Sequence, residues 1–432
     1  MRLPRNKISF FTVVTLLMRL TVGGVFMFSG FVKAVDPWGT YYKFNEYLLT
    51  MGLDNLVSLS LIAAVTLAAA EFMLGLLLAV GAYRRVTPWL MLLFLLVMTP
   101  ITLWLAITDA VPDCGCFGDA LHLSNWSTFG KNLLLTAGVV YLIIYNRRLP
   151  SIYGPAVQWA AAFFAFVFVV SVASEGYFIQ PLIDYRPYEV GTRLTSAARS
   201  SQSVDEKNYV FIYERDGVQQ QFSIDSVPDE EDGWVYVDRR HIKPAEPAVA
   251  DSVPSHSIAV RDNGLDVSDM ILDPEGRQLL LLFPDLPDVS IAYTFVLNQL
   301  NDFASARGVG VYGITSANEE EMSQWNDISM ASYPLYSADD SEIKMLARGN
   351  PAVVYVDQGI IRWKRTLSSV SRSALNDSSM TVESLSDDFD PDADMMSIFF
   401  TFVSFLALLL VINRIPPLVL RLFHRKPKNK ES

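Results

Sequence analysis

Residues 109–126 read DAVPDCGCFGDALHLSNW and hold both cysteines of a 432-residue chain, Cys114 and Cys116. On either side lie apolar runs, PWLMLLFLLVMTPITLWLAIT at 88–108 and GKNLLLTAGVVYLIIY at 130–145. A bilayer core takes about 20 apolar residues as one helix. The cysteines therefore sit in the loop of a helical hairpin that crosses a membrane. Working outward, four more runs of this kind occur, at 10–32, 58–81, 156–178 and 395–412. With 51% apolar residues and a positive mean hydropathy, the chain is part membrane and part water-exposed.

The first run is too long for a cleaved signal peptide and no small-residue cleavage site follows a short core, so it reads as a retained anchor. Positive charges stay on the cytoplasmic side of short loops and tails. RLPRNK at 2–7, YRR at 83–85, NRR at 146–148 and RLFHRKPKNK at 421–430 all fall on one side if the six spans are real. Both chain ends then lie in the cytoplasm of a bacterial cell, in its inner membrane. The loops 33–57 and 109–129 and the long segment 179–394 lie outside. Most of the net charge of −12 is expected in that outer segment, which argues against a nucleic-acid partner.

The expected organisation is a four-helix membrane domain over 1–148, a fifth span at 156–178, an outer linker and β-hairpin region at 179–277, an α/β domain at 278–367, an acidic stalk at 368–394, a last span at 395–413 and a basic tail at 414–432. Within the outer segment, NYVFIYERDGVQQQFSI at 208–224 alternates about Asp216 and Gly217, the pattern of a hairpin with a positive-φ turn. From Gln278 the expected order is strand, helix, strand, helix, helix, strand, strand, with the last two joined through Gln358 and Gly359. That is the order of a thioredoxin-like fold. SSVSRSALNDSSMTVESLSDDFDPDAD at 368–394 is polar and acidic and reads as a loose stalk.

Cys114 and Cys116 are the first candidates for chemistry. Outside the cytoplasm a thiol pair can hold a disulfide, and a ring closed across one residue is strained and readily exchanged. Gly115 supplies the backbone freedom such a ring requires. The plainer alternative is an inert staple of a tight loop. A metal site with Asp119 and His122 is weaker, because zinc ligands usually come as two spaced pairs. Inside the spans, Arg19 and Glu71 lie at depths that agree to within about 3 Å and are expected to pair, as a proton or ligand site or as a structural ion pair. Lys33, at the outer end of its span, is expected to snorkel. The aromatic-rich DPWGTYYKFNEYLL at 36–49 reads as an interfacial helix, the floor of the 109–129 loop and a candidate quinone slot. FPDLPDVS at 283–290 lacks the Cys-x-x-Cys of a catalytic thioredoxin, while Pro351 stands where such folds place a cis proline, a candidate peptide-binding loop.

MRLTVGGVFMFSGFVKAVDPWG, AAEFMLGLLLAVGAYRR and DCGCFGD followed by NWSTFGKNLLL together resemble the DoxX-like and MauE families of four-helix membrane proteins. The resemblance implies a helical bundle like that of vitamin K epoxide reductase, a role in disulfide formation during protein maturation and a label of methylamine utilisation. It assigns the redox role to Cys114 and Cys116. A second cysteine pair is lacking, so no internal relay to a quinone is implied. Two functions follow as expectations: a thiol-disulfide oxidoreductase acting on an exported client or redox partner, or a non-enzymatic scaffold recruiting partners through the thioredoxin-like domain. Small-molecule transport around Arg19 and Glu71 is a third.

Overall fold

A computed structural model describes residues 10–111, 114–146, 149–196, 209–215, 218–222, 234–241 and 254–423. Along the chain run helices α1 (Phe10–Val35), α2 (Pro37–Thr50), α3 (Ser60–Val80), α4 (Thr87–Thr108), α5 (Asn125–Tyr145) and α6 (Gln158–Phe178). Strands β1 (Arg193–Ser196), β2 (Tyr209–Arg215), β3 (Val218–Phe222), β4 (Val235–His241), β5 (Ser255–Ile258), β6 (Arg261–Asp262), β7 (Leu265–Asp266) and β8 (Arg277–Phe283) follow. Then come α7 (Thr294–Ser305), β9 (Gly310–Thr315), α8 (Glu319–Ser329), β10 (Leu335–Ser337), α9 (Asp340–Leu346), β11 (Ala352–Asp357), β12 (Ile360–Thr366) and α10 (Pro391–Phe423). The chain divides into two compact units: a helical one, residues 1–185 with 389–432, and one of mixed structure, residues 186–388.

In the helical unit, six helices among the described residues are long and apolar enough to cross a membrane. Helix α2 starts where the sequence marks a start: Asp36 accepts from the Gly39 amide at 2.8 Å and Pro37 occupies the first turn. Helices α1 and α3 pack backbone to backbone. A Cβ on Gly23 would meet the Gly75 carbonyl at 2.8 Å, and one on Gly30 the Phe72 amide nitrogen at 2.4 Å. Small residues at such crossings let helices approach where lipid gives no hydrophobic drive between them. The two larger apolar clusters of the unit are Phe26, Leu78, Met91 and Leu142 among α1, α3, α4 and α5, and Phe72, Phe168, Val172 and Phe402 among α3, α6 and α10.

The second unit is built on a nine-stranded sheet among the described residues, in the order β5-β1-β12-β11-β8-β9-β10-β6-β7. Strand β8 pairs parallel with β9 and antiparallel with β11, in the register Leu280↔Val354. The run LLLLF is apolar at every position because both faces are covered. Leu279, Leu281 and Phe283 enter one cluster with Trp325, Tyr355 and Trp363, and Leu280 and Leu282 enter the other with Ile314, Ile343 and Val354. The β11–β12 hairpin turns through Gln358 and Gly359, both at positive φ. A separate three-stranded sheet has the order β3-β2-β4, and Arg215↔Val218 closes the expected hairpin; the turn residues Asp216 and Gly217 lie outside the described residues.

Three expectations change. No division falls at 277/278, because β1, β5, β6 and β7 join the same sheet as the later strands. The three-residue β10 lies between α8 and α9 and is too short to show a periodicity of its own. The segment after β12 is not a loose stalk: Val370, Leu375, Val382 and Leu385 are buried in the core, and Trp363 Nε1 donates to the Val382 carbonyl at 3.1 Å. Four buried apolar residues spread over the 16 positions from 370 to 385 are enough to pin it down.

Candidate functional site

The loop between α4 and α5 is closed at its base by Asn125, whose Nδ2 donates to Asp109 Oδ1 at 3.1 Å and to the Val111 carbonyl at 2.8 Å. At its tip, Gly115 (φ +59°) and Gly118 (φ +52°) supply left-handed backbone that residues with a Cβ rarely adopt. The tip folds the cysteines toward each other, so that Cys114 Sγ lies 3.3 Å from Cys116 Sγ, both thiols half-buried. Phe117 anchors the loop against Phe28, ring centroids 5.4 Å apart, with Lys131 Nζ over its face at 4.3 Å.

Each cysteine's carbonyl is gripped. Tyr47 Oη of α2 donates to the Cys114 carbonyl at 2.5 Å. The Cys116 carbonyl accepts from Ser29 Oγ at 2.7 Å and from Lys33 Nζ at 2.5 Å, both of α1. Lys33 Nζ also donates to Ser29 Oγ at 2.7 Å and to Glu71 Oε2 at 2.8 Å. Lys33 is 5% and Glu71 7% exposed. On Gly115 a Cβ would lie 3.1 Å from Lys43 Cγ, so α2 supports the loop from beneath.

The thiols are unlike. Cys116 is pulled down to about 6, chiefly by the hydrogen bond from Cys114 and further by the charges of Lys131 and Lys33, against its burial and the Glu71 charge. Cys114 is pushed up, chiefly by that same hydrogen bond and then by burial and the charge on Cys116. The two sulfurs thus share one short contact, and the charges of Lys131 and Lys33 favour the ionised form at Cys116.

The expected Arg19–Glu71 pair does not form. Gly23 faces Gly75 and Gly30 faces Phe72, so Glu71 is level with Gly30, and Arg19, 11 residues earlier, is level with the C-terminal end of α3. Arg19 is buried there, its Nη1 donating to the Pro150 carbonyl at 3.2 Å. Nor does Lys33 snorkel: it turns inward to Glu71. Counting residues from the ends of two apolar runs misled because α1 begins well before α3 ends. Ser29 and Lys131 were not singled out from the sequence, and Lys33 and Tyr47 were noted there in other roles. The signal for two of them was Ser29 and Lys33 spaced one turn apart, a polar stripe in an apolar run.

Among the described residues no three His, Cys, Asp or Glu side chains gather as a metal would need, so Asp119 and His122 do not complete a metal site with the sulfurs. The 36–49 segment is α2; Trp38 stacks on Tyr177 at 5.1 Å and donates from Nε1 to its carbonyl at 3.0 Å. In the second unit, Pro351 follows a cis peptide bond and is buried. The side chain of its neighbour Asn350 reaches the 283–290 loop, donating to the Asp285 carbonyl at 2.6 Å.

Neither a curated protein nor a solved structure matches the chain. Residues 208–243, which contain the three-stranded sheet, match a domain of unknown function, DUF8463. Residues 11–145, which span α1 to α5 and carry the cysteine loop and the lysine–glutamate pair beneath it, match the family of the methylamine utilisation protein MauE.

Proposed function

We propose that this membrane protein exchanges thiols and disulfides with exported proteins at Cys114 and Cys116, on the extracytoplasmic face of a bacterial inner membrane. The observation that carries the reading is the pair itself: two sulfurs 3.3 Å apart in a tight loop, with the Cys116 thiol lowered and the Cys114 thiol raised. In the step, Cys116 Sγ attacks a sulfur of the client's disulfide, an S–S bond forms between them, and the client's own S–S bond breaks. The departing client thiolate takes the proton from Cys114. Cys114 Sγ then attacks Cys116 Sγ, closing the Cys114–Cys116 disulfide and releasing the second client sulfur as thiolate. Two electrons pass from the pair to the client, and the reverse sequence oxidises a client dithiol.

The short basic runs at 83–85, 146–148 and 421–430 favour the sidedness, since all three fall opposite the cysteine loop in a six-span chain. The second unit is read as thioredoxin-like. In support, β12-β11-β8-β9 are adjacent, β8 and β9 are parallel and joined through α7, and β11 is antiparallel to both neighbours. Holding no cysteine, it would position a client rather than attack one. The matching family carries the label of methylamine utilisation, and maturation of a disulfide-bonded exported protein is the task that the resemblance of the cysteine loop implies.

The test is trapping. Cys114→Ser leaves the attacking sulfur without its resolving partner, so a mixed disulfide with an exported protein should accumulate on a non-reducing gel. Cys116→Ser should trap far less. If neither variant forms an adduct and the double serine variant keeps full function in cells, the cysteines are structural and the scaffold reading stands instead.

A further inference from the structure

We propose that Lys33, held inside the helical bundle by Glu71 and Ser29, is a positioning residue that fixes the Cys116 peptide and thereby brings the two sulfurs together. The inference rests on the exchange reading for its purpose but on separate geometry for its support. An ammonium has three protons to donate, and Lys33 directs them to Glu71 Oε2 at 2.8 Å, Ser29 Oγ at 2.7 Å and the Cys116 carbonyl at 2.5 Å. The first two partners lie on the spans and the third lies in the loop. The ammonium therefore ties α1 and α3 to the backbone of the second cysteine. Ser29 Oγ adds its own bond to the same carbonyl at 2.7 Å.

A buried ion pair is expensive to desolvate and is tolerated where further hydrogen bonds complete it. For spans that need only apolar contacts to pack, Lys33 and Glu71 would be a liability. Their presence is explained by what the pair holds. The Gly115 tip has a left-handed backbone and no side chain to restrain it, so a loop free at Cys116 would sample many separations of the two sulfurs. Pinning both carbonyls, one by Tyr47 and one by Lys33 and Ser29, leaves the sulfurs facing at 3.3 Å. Holding reacting groups in place raises their effective concentration.

The full chain, in detergent, is equilibrated with reduced and oxidised glutathione, and the two states of the pair are separated on a gel after labelling of free thiols. Two glutathiones reduce the Cys114–Cys116 disulfide to two thiols and become one oxidised glutathione, so the equilibrium constant measures the effective concentration directly. Lys33→Met together with Glu71→Gln removes both charges without stranding either. Loss of one charged hydrogen bond to the loop is expected to shift the constant about tenfold toward the reduced pair. An unchanged constant in a folded variant overturns the proposal. A shift toward the disulfide overturns it as well, because it would mean that the lysine acts only by stabilising the thiolate. Should the double variant not fold, Ser29→Ala decides: it removes one bond to the Cys116 carbonyl, and a smaller shift in the same direction is required. Glutathione stands in for any client, so this result is independent of mixed-disulfide trapping, and either reading can fail alone.

Discussion

At the scale of single residues, the asymmetry of the cysteine pair has a direct consequence. Alkylation by iodoacetamide consumes thiolate, so the reaction at Cys116 should rise through a midpoint of about 6 and be near its plateau at neutral pH. The largest cause of that lowering is the hydrogen bond from Cys114. In Cys114→Ala it is lost while burial remains, and the midpoint should move upward toward that of an ordinary thiol. A midpoint that stays in place, followed by mass spectrometry of the Cys116 peptide, would remove Cys114 as the donor. Both cysteines were legible in the chain as a candidate exchange site. Their inequality was not, because it comes from Lys33 of α1, Lys131 of α5 and the loop geometry, which meet only in the folded bundle.

Among the elements, the α1–α3 contact is the most constrained. A side chain on Gly30 would press into the backbone of α3 at 2.4–2.6 Å, and no flexible group is there to give way. Gly30→Val should therefore destabilise the helical unit by about 1–3 kcal/mol, the usual range for overpacking, read as a lower melting temperature in detergent. Gly24, one residue from Gly23, meets nothing within 4 Å, and Gly24→Ala should melt like the parent. Because Lys33 and Glu71 are carried by these two helices, separating them should also loosen the Cys116 peptide. The six apolar helices could be read from run length alone, since lipid imposes both length and composition. The pairing of charges between helices could not, since it depends on their vertical offset, which backbone packing at Gly23, Gly30 and Gly75 decides.

For the molecule as a whole, residues 186–388 have their own two-sided core and should fold when expressed without the helices, with a cooperative thermal transition in circular dichroism. A broad, non-cooperative melt would show that the unit depends on the membrane part. Truncation at 367 should weaken it markedly, as Val370, Leu375, Val382 and Leu385 all leave the core. By itself the sequence determined that the chain is a multi-span membrane protein, that both sulfurs sit at one tight loop, and that a β8–α7–β9 unit follows, because these depend on local runs, periodicity and turn residues. The tertiary structure alone decided that β1, β5, β6 and β7 join the later strands in one sheet, that the acidic segment is packed, and that Glu71 holds Lys33 rather than Arg19. Strand neighbours distant in sequence and the level at which two helices cross are set by which surfaces bury together, and no local pattern encodes that.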